Sequence, residues 1–124
     1  MLRLAVGWPV PDEDVVTKAM ANRVYGVVAI LAGKMIGMAS VVGDGLLINY
    51  VQDVIVHPEH QKKGVGDLLM QAVMSYLHAH AIGNSDVALI CAPGKEGFYQ
   101  RYGFNVFTPD KPGMRTKTRR PAGA

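Results

Sequence analysis

The sequence predicts a mixed α/β fold, with one mostly antiparallel sheet and helices packed on its faces. Apolar runs separated by glycine turns indicate a meander of antiparallel strands. A segment with helical periodicity follows them and leads to another short apolar strand. The crossover through this helix is long enough for the new strand to lie parallel to its neighbour. With 124 residues and 49% hydrophobic content, the chain is expected to bury one ordinary core.

The first part of the chain is predicted to form a strand and a helix. Leu2–Val6 is a short apolar run that we interpret as a strand, ended by Gly7-Trp8-Pro9. Pro11 and the acids at 12–14 open a helix well, because proline suits a first turn and acids there complement the helix dipole. Only this one helix is expected before the next strand.

Three antiparallel strands are predicted next. Tyr25–Leu31 and Met35–Val42 are apolar runs, and Gly33-Lys34 between them is typical of a hairpin turn. A second turn at Gly43-Asp44-Gly45 leads to Leu47–Val56, which is rich in β-branched residues.

A glycine-containing loop connects the third strand to a helix. Pro58 cannot donate to a sheet, so the strand is expected to end near His57. From Val65 to near Gly83 the apolar residues have the spacing of an amphipathic helix. The loop reads Gln61-Lys62-Lys63-Gly64-Val65-Gly66. Its glycines allow close backbone approach, and its lysines and the free N–H groups of the helix start suit an anionic oxygen cluster such as a pyrophosphate.

The rest of the chain is predicted to complete one domain and to end in a tail. Asp86–Cys91 should form the parallel strand, Gly94–Tyr102 a short helix and Phe104–Thr108 a last strand. Residues 1–109 are the predicted domain. Residues 110–124 are the predicted flexible tail, because they are basic, contain Pro and Gly and have few large apolar side chains.

Charge and composition exclude several classes of protein. The net charge of +3 lies in the tail: residues 1–109 carry eight Lys/Arg against nine Asp/Glu, and residues 110–124 carry five against one. No aromatic residues alternate with these basic ones, so a nucleic-acid-binding arm is only a minor alternative. No apolar run reaches 18 residues and no signal peptide is expected, so a membrane association is not predicted. One cysteine fits a reducing cytoplasm.

Two motifs in this order resemble those of the GNAT superfamily of N-acetyltransferases. Q-x-x-G-x-G at residues 61–66, after a strand ending in V-x-V-x-P-E, resembles the acetyl-CoA signature of that family. F-Y-x-x-x-G-F at residues 98–104 is similar to a segment near the end of the same fold. A dinucleotide-binding loop is the rival interpretation, but Leu69 occupies the position of the third glycine and the glycine pair lies too far beyond the strand.

The resemblance implies a GNAT-like single domain with acetyl-CoA as co-substrate and no metal. It implies that the main chain of Val54, Ile55 and Val56 binds the pantetheine arm, admitted where this strand splays from the parallel one. The loop would wrap the pyrophosphate, through the residues Gln61, Lys62, Lys63, Gly64, Val65 and Gly66.

The resemblance also implies catalytic roles. Tyr99 falls on the position of the family's general acid, and a phenol can protonate a departing thiolate. Many members have a Glu where this chain has Gln52, so the general base is open between the adjacent Asp53 and a water chain. Strand alternation predicts that Asp53 points to the face opposite Gln52. An N–H group near Val54 would polarise the thioester oxygen.

The predicted function is acetyl transfer from acetyl-CoA to a primary amine, on a small molecule or a peptide. A CoA-binding regulatory module without turnover is the alternative. His78 and His80 are expected on different faces of the helix, and no Cys or carboxylate partner stands at ligand spacing from the histidines, so no metal site is predicted. Cys91 is interpreted as a small core residue rather than an acyl-carrying nucleophile. The amine is not identified by the sequence, and a homodimer is left open.

Overall fold

A computed structural model describes residues 2–8 and 11–118. The chain forms two compact units, residues 1–91 and residues 92–124. The last six residues of the predicted tail lie outside the described part, and residues 110–118 are exposed without helix or strand.

The first unit is built on a four-stranded sheet in the order β1-β2-β3-β4. The strands are β1 (Tyr25–Leu31), β2 (Lys34–Gly43), β3 (Ile48–Val56) and β4 (Asp86–Leu89). The helices of this unit are α1 (Leu2–Ala5), α2 (Glu13–Ala21), a 3-10 turn (Pro58–His60) and α3 (Val65–His80). The second unit contains α4 (Glu96–Gln100).

The predicted meander is confirmed. β1, β2 and β3 pair antiparallel, and β4 pairs parallel with β3. The first hairpin turns one residue earlier than predicted, at Ala32 and Gly33, with φ of 51° and 77°. Positive φ at both central residues is what a two-residue hairpin needs to match the twist of its strands.

The strand predicted at Leu2–Val6 is wrong, because this segment begins with α1. Leu2 is buried, and α1 packs against β2 and β3. A short apolar run can bury its side chains as a helical turn as well as in a strand, and the packing of Leu2 favours the helix here. The described chain thus has two helices before β1 rather than one.

The strand predicted at Phe104–Thr108 is also wrong, since these residues have no regular structure. The backbone turns back after α4, where the N–H of Phe104 donates to the carbonyl of Tyr99. The ring of Phe104 lies 6.2 Å from that of Tyr99. Packing onto α4 therefore replaces pairing with a strand.

The hydrophobic core lies between the sheet and α3. A Cβ added at Gly37 of β2 would lie 3.1 Å from Leu69 and from Val65 of α3, so helix and strand are in close contact. The buried apolar residues of the sheet and α3 are Ala39, Val41, Val51, Ile55, Leu69, Met70, Val73 and Leu77. Among the described residues, no helix is long and apolar enough to cross a membrane.

Candidate functional site

A cavity of about 500 Å³ lies on the sheet face that points away from α3. In β2, Gly37 faces α3 and Ala39 and Val41 are buried, whereas the alternate residues Met38 and Ser40 line the cavity. The period of two along a strand accounts for this division. Residues of α1 and α2 close the other side, so these two helices and the sheet together form the walls.

A β-bulge in β3 places Gln52 and Asp53 in the same cavity. Ser40 pairs with Gln52 and Met38 pairs with Ile55, so two residues of β3 lie opposite Ala39 alone. Asp53 has a φ of 54°, in the left-handed region. The prediction that Asp53 points away from Gln52 is wrong, because the extra residue interrupts the alternation of side chains.

Asp53 forms an ion pair with a residue that sequence reasoning did not single out. The distance from Arg3 Nη1 to Asp53 Oδ2 is 3.1 Å, and the two side chains are 25% and 20% exposed. α1 supplies Arg3 to the cavity, so the segment mistaken for a strand contributes directly to this site.

A second arginine enters the cavity from the start of β1. Arg23 Nη1 donates a hydrogen bond of 3.2 Å to Ser40 Oγ. The Arg23 side chain lies over Gly26, and a Cβ on Gly26 would overlap its guanidinium. The absence of a side chain at Gly26 therefore makes room for Arg23 on the cavity face of the sheet.

The glycine loop leaves the backbone open at the point where α3 begins. Gly64 is the N-cap of α3 with a φ of 85°, and a Cβ there would meet no heavy atom within 4 Å. Gln61, Lys62 and Lys63 are exposed beside it. The first N–H groups of α3 have no partner within the helix. These residues fit a pyrophosphate, because backbone donors, helix dipole and lysine charge are all available there.

The end of β3 reaches this loop without a strand on one side. The pairing of β3 with β4 stops at Val51 and Leu89, so no described strand continues it along residues 52–56. The pairing ends where β4 itself ends, so the splay of the two strands stays a prediction. Gln61 Nε2 donates a 3.0 Å hydrogen bond to the carbonyl of Val56 and holds the loop against the strand end. Contacts of Val54, Ile55 and Val56 with a pantetheine arm stay a prediction.

Tyr99 lies in α4, within the second unit. Its ring is half-buried and lies 5.0 Å from the ring of Phe98. Tyr102 forms a second edge contact with Phe98, at 5.7 Å. The aromatic cluster fixes the orientation of Tyr99, and its role as general acid stays a prediction.

The histidines have structural contacts. His57 lines the cavity, and its Nδ1 accepts a hydrogen bond of 3.2 Å from the N–H of Glu59, which caps the 3-10 turn. Among residues 2–8 and 11–118, no group of three or more His, Cys, Asp or Glu could hold a metal ion. Cys91 follows β4 and is half-buried.

Comparison with protein families gives one match over most of the chain. The sequence model of the acetyltransferase (GNAT) domain matches residues 9–113. Two solved structures are similar along nearly the whole length of both chains. One is a protein of unknown function from methicillin-resistant Staphylococcus aureus, described as a probable acetyltransferase (TM-score 0.86, 27% identity, 94% of this chain and 88% of that one). The other is a GNAT family acetyltransferase from Streptococcus pneumoniae (TM-score 0.80, 29% identity, 96% and 87%).

Curated relatives match over shorter stretches. Serotonin N-acetyltransferase 2, chloroplastic, from Oryza sativa subsp. japonica is 34% identical over 79 residues, which are 64% of this chain and 38% of that protein. Glucosamine 6-phosphate N-acetyltransferase from Schizosaccharomyces pombe is 30% identical over 59 residues, 48% of this chain and 51% of that protein. The matched part of the chain thus spans about half or less of these relatives.

Proposed function

This chain belongs to the GNAT acetyltransferase family, and from that membership we propose that it transfers an acetyl group from acetyl-CoA to a primary amine. The observation that carries the proposal is the loop at Gly64, which has a left-handed N-cap and open surroundings. It follows the end of β3, where no described strand pairs with residues 52–56 on the β4 side. A family match over residues 9–113 and a loop of this geometry support acetyl-CoA as the co-substrate.

The proposed reaction removes one proton from the amine and delivers one proton to the thiolate. The amine nitrogen forms a bond to the thioester carbon and loses a proton, while the C–S bond breaks and the thiolate gains one. Asp53 and Gln52 share the cavity beside the strand edge, so Asp53, or a water held there, can take the amine proton. The ion pair with Arg3 holds the Asp53 carboxylate in place. Tyr99 protonates the thiolate.

The backbone of the bulge supplies the remaining part of the proposed mechanism. A bulge leaves one residue out of the regular ladder and changes the direction of its peptide groups. An N–H group near Val54 can then point at the thioester oxygen, where negative charge develops during the attack. Holding the amine and the thioester together in one site contributes further to the rate.

Thiol release from acetyl-CoA tests the proposal, measured over a panel of primary amines for the wild type, Tyr99→Phe and Tyr102→Phe. Tyr99→Phe is expected to lose about ten- to a hundredfold in kcat, because the leaving thiolate loses its proton donor. Tyr102→Phe removes a hydroxyl from the same aromatic cluster and is expected to keep the wild-type rate. Both variants are expected to keep the affinity for CoA.

Binding of CoA without thiol release from any amine would contradict the enzyme and favour the regulatory module. Equal rates in Tyr99→Phe and the wild type would remove Tyr99 from the mechanism and leave the reaction itself in place. A cytoplasmic location and a homodimer are further expectations, which fractionation and sedimentation test.

A further inference from the structure

The cavity has mostly apolar walls with a few polar groups. Three methionines give the walls adaptable surfaces, because an unbranched thioether fits many shapes. The apolar wall residues of α2 and the sheet are Val15, Val16, Ala19, Met20, Val28, Met35, Met38 and Val42. A volume of about 500 Å³ lies in the range of pockets that hold small molecules. Such a space favours a ligand with an apolar body.

The two arginines of the cavity have different partners. Arg3 is paired with Asp53, whereas Arg23 forms no ion pair with any carboxylate of the described residues and binds the neutral hydroxyl of Ser40. Arg23 is half-buried, so part of its hydration is already lost. A guanidinium in that position gains more from an anion than one on an open surface.

Arg23 lies away from the glycine loop. Gly26, Ser40 and Gln52 pair across β1, β2 and β3 on the cavity face, and the guanidinium lies above the first two. Gln52 is four residues before the end of β3, so this row is roughly 13 Å from the start of the loop. Arg23 is therefore not placed to bind the pyrophosphate.

We infer that the cavity binds an amine acceptor with an apolar body and an anionic group, and that Arg23 binds the anion. The inference rests on the proposed function, which places the amine of the acceptor at Asp53 in the bulge. Adjacent strands are about 4.8 Å apart, so the anion and the amine nitrogen are separated by roughly 5–10 Å. In an α-amino acid the nitrogen and the carboxyl carbon are only about 2.5 Å apart. The acceptor is therefore an amine whose carboxylate or phosphate is several bonds away.

Two matched amines test this assignment. 4-(2-Aminoethyl)benzoate carries a carboxylate at the expected distance, and 4-(2-aminoethyl)benzamide has the same shape without the charge. Calorimetric titration into the CoA-bound protein measures the affinity for each. The benzoate is expected to bind at least about tenfold more tightly, because a hydrogen bond between charged groups is stronger than a neutral one. Phenylalanine, with its carboxylate next to the amine, is expected to bind more weakly than the benzoate.

Two variants remove the contribution of Arg23 in different ways. Arg23→Gln removes the charge, and Gly26→Ala keeps the charge but displaces the side chain by overlap with the new Cβ. Both are expected to bind the benzoate and the benzamide with nearly equal affinity. Lys18→Gln removes a positive charge from the same part of the chain outside the cavity lining and is expected to keep the preference. CoA affinity and melting temperature confirm that each variant is folded.

Each outcome decides one of the two proposals. Equal affinities in the wild type, or a preference that survives in both Arg23→Gln and Gly26→Ala, would overturn the assignment of Arg23. Failure of both amines to bind would overturn it as well. If amines are acetylated without preference for the benzoate, the acetyltransferase stands and the inference fails. If the benzoate binds through Arg23 but no thiol is released from acetyl-CoA, the inference about the cavity stands and the enzyme fails.

Discussion

Asn49 is a buried amide in β3. Asn49 is 1% exposed, and neither side-chain polar atom finds a hydrogen-bond partner among the described residues. Asn49→Leu keeps the number of heavy atoms and removes the unpaired groups. We expect it to raise the free energy of unfolding by about 1–3 kcal/mol, because an unsatisfied buried group carries its full desolvation penalty. Urea denaturation measures the change.

The surface residue Asn105 provides the control for that substitution. It is exposed, so Asn105→Leu is expected to change the free energy of unfolding by less than about 0.5 kcal/mol. A decrease in stability for Asn49→Leu would show that the amide has a partner that the leucine cannot replace.

At the residue scale, the sequence identified Gln52 and Asp53 but not their arrangement. A bulge adds one residue to a strand without changing its composition, and Asp tolerates the left-handed conformation better than most residues. Nothing in the pattern of Leu47–Val56 therefore distinguishes a bulged strand from a regular one. Arg3 and Arg23 were missed for a related reason, since their roles depend on how α1 and β1 lie against the cavity.

At the scale of elements, the connection between β3 and α3 depends on a glycine for its shape and for its open surface. Gly64→Ala is expected to cost about 1 kcal/mol in stability, since its φ of 85° is unfavourable for a residue with a Cβ. It is also expected to weaken acetyl-CoA binding by about tenfold or more, because the new methyl group occupies the space through which an anion approaches the backbone. Calorimetric titration with acetyl-CoA measures the loss.

Gly33 in the first hairpin offers a matched control for Gly64. It has a φ of 77° and, like Gly64, no heavy atom within 4 Å of an added Cβ. Gly33→Ala is therefore expected to lose a similar amount of stability and to keep the affinity for acetyl-CoA. Equal losses of affinity in the two variants would mean that backbone strain, and not the loop surface, governs binding.

The turn between β2 and β3 is expected to make the free energy of unfolding fall at acidic pH. Asp44 Oδ1 accepts hydrogen bonds from the backbone N–H groups of Ile48, Leu46 and Leu47 at 3.0, 2.8 and 2.8 Å. These bonds lower the pKa of Asp44 below its ordinary value of 3.8. A carboxyl with a lowered pKa in the folded state stabilises the protein fully above its unfolded pKa and loses that contribution as the pH falls through the folded pKa.

Asp44→Asn should therefore flatten the fall in stability below about pH 4, where the wild type loses the contribution of the charged carboxylate. The amide oxygen can still accept hydrogen bonds, so the turn is expected to be kept. Urea midpoints at a series of pH values compare the two proteins, and NMR titration follows the Asp44 carboxyl directly. Parallel pH curves for both proteins would contradict the expectation.

Long apolar or strongly periodic elements were predictable, and short ones were not. β1, β2, β3 and α3 fall within a few residues of their predicted bounds, because turns and periodicity define them locally. Leu2–Val6 and Phe104–Thr108 are five residues each, and their conformation is decided by the surfaces they pack against. Local preference is too weak to choose between helix and strand over such a length.

At the scale of the whole molecule, the net positive charge is expected to be removable without loss of the fold. Met114 is 93% exposed, and residues 114–118 have no helix or strand. Deletion of residues 114–124 removes four basic residues and no acid, which changes the formal net charge from +3 to −1. We expect the free energy of unfolding to change by less than about 0.5 kcal/mol and acetyl-CoA binding to be unchanged.

Chemical denaturation and titration with acetyl-CoA measure both quantities for the shortened chain. A large loss of stability would place the boundary of the folded domain further along the chain than residue 109. The charge partition was evident from the sequence, whereas the division into units at residue 91 was not, because it depends on contacts between residues far apart in the chain.

The two faces of the sheet differ in how well they tolerate substitutions. Close packing against α3 constrains Ala39 and Val41, where even one extra methylene is destabilising. The opposite face carries Val28, Met35 and Met38 on the walls of a cavity, where a change of side-chain size meets space rather than neighbours. Substitutions there are expected to change the shape of the cavity while the fold keeps its stability. If the cavity binds the acceptor, as we propose, single substitutions on its walls change the preferred acceptor without compensating mutations in the core.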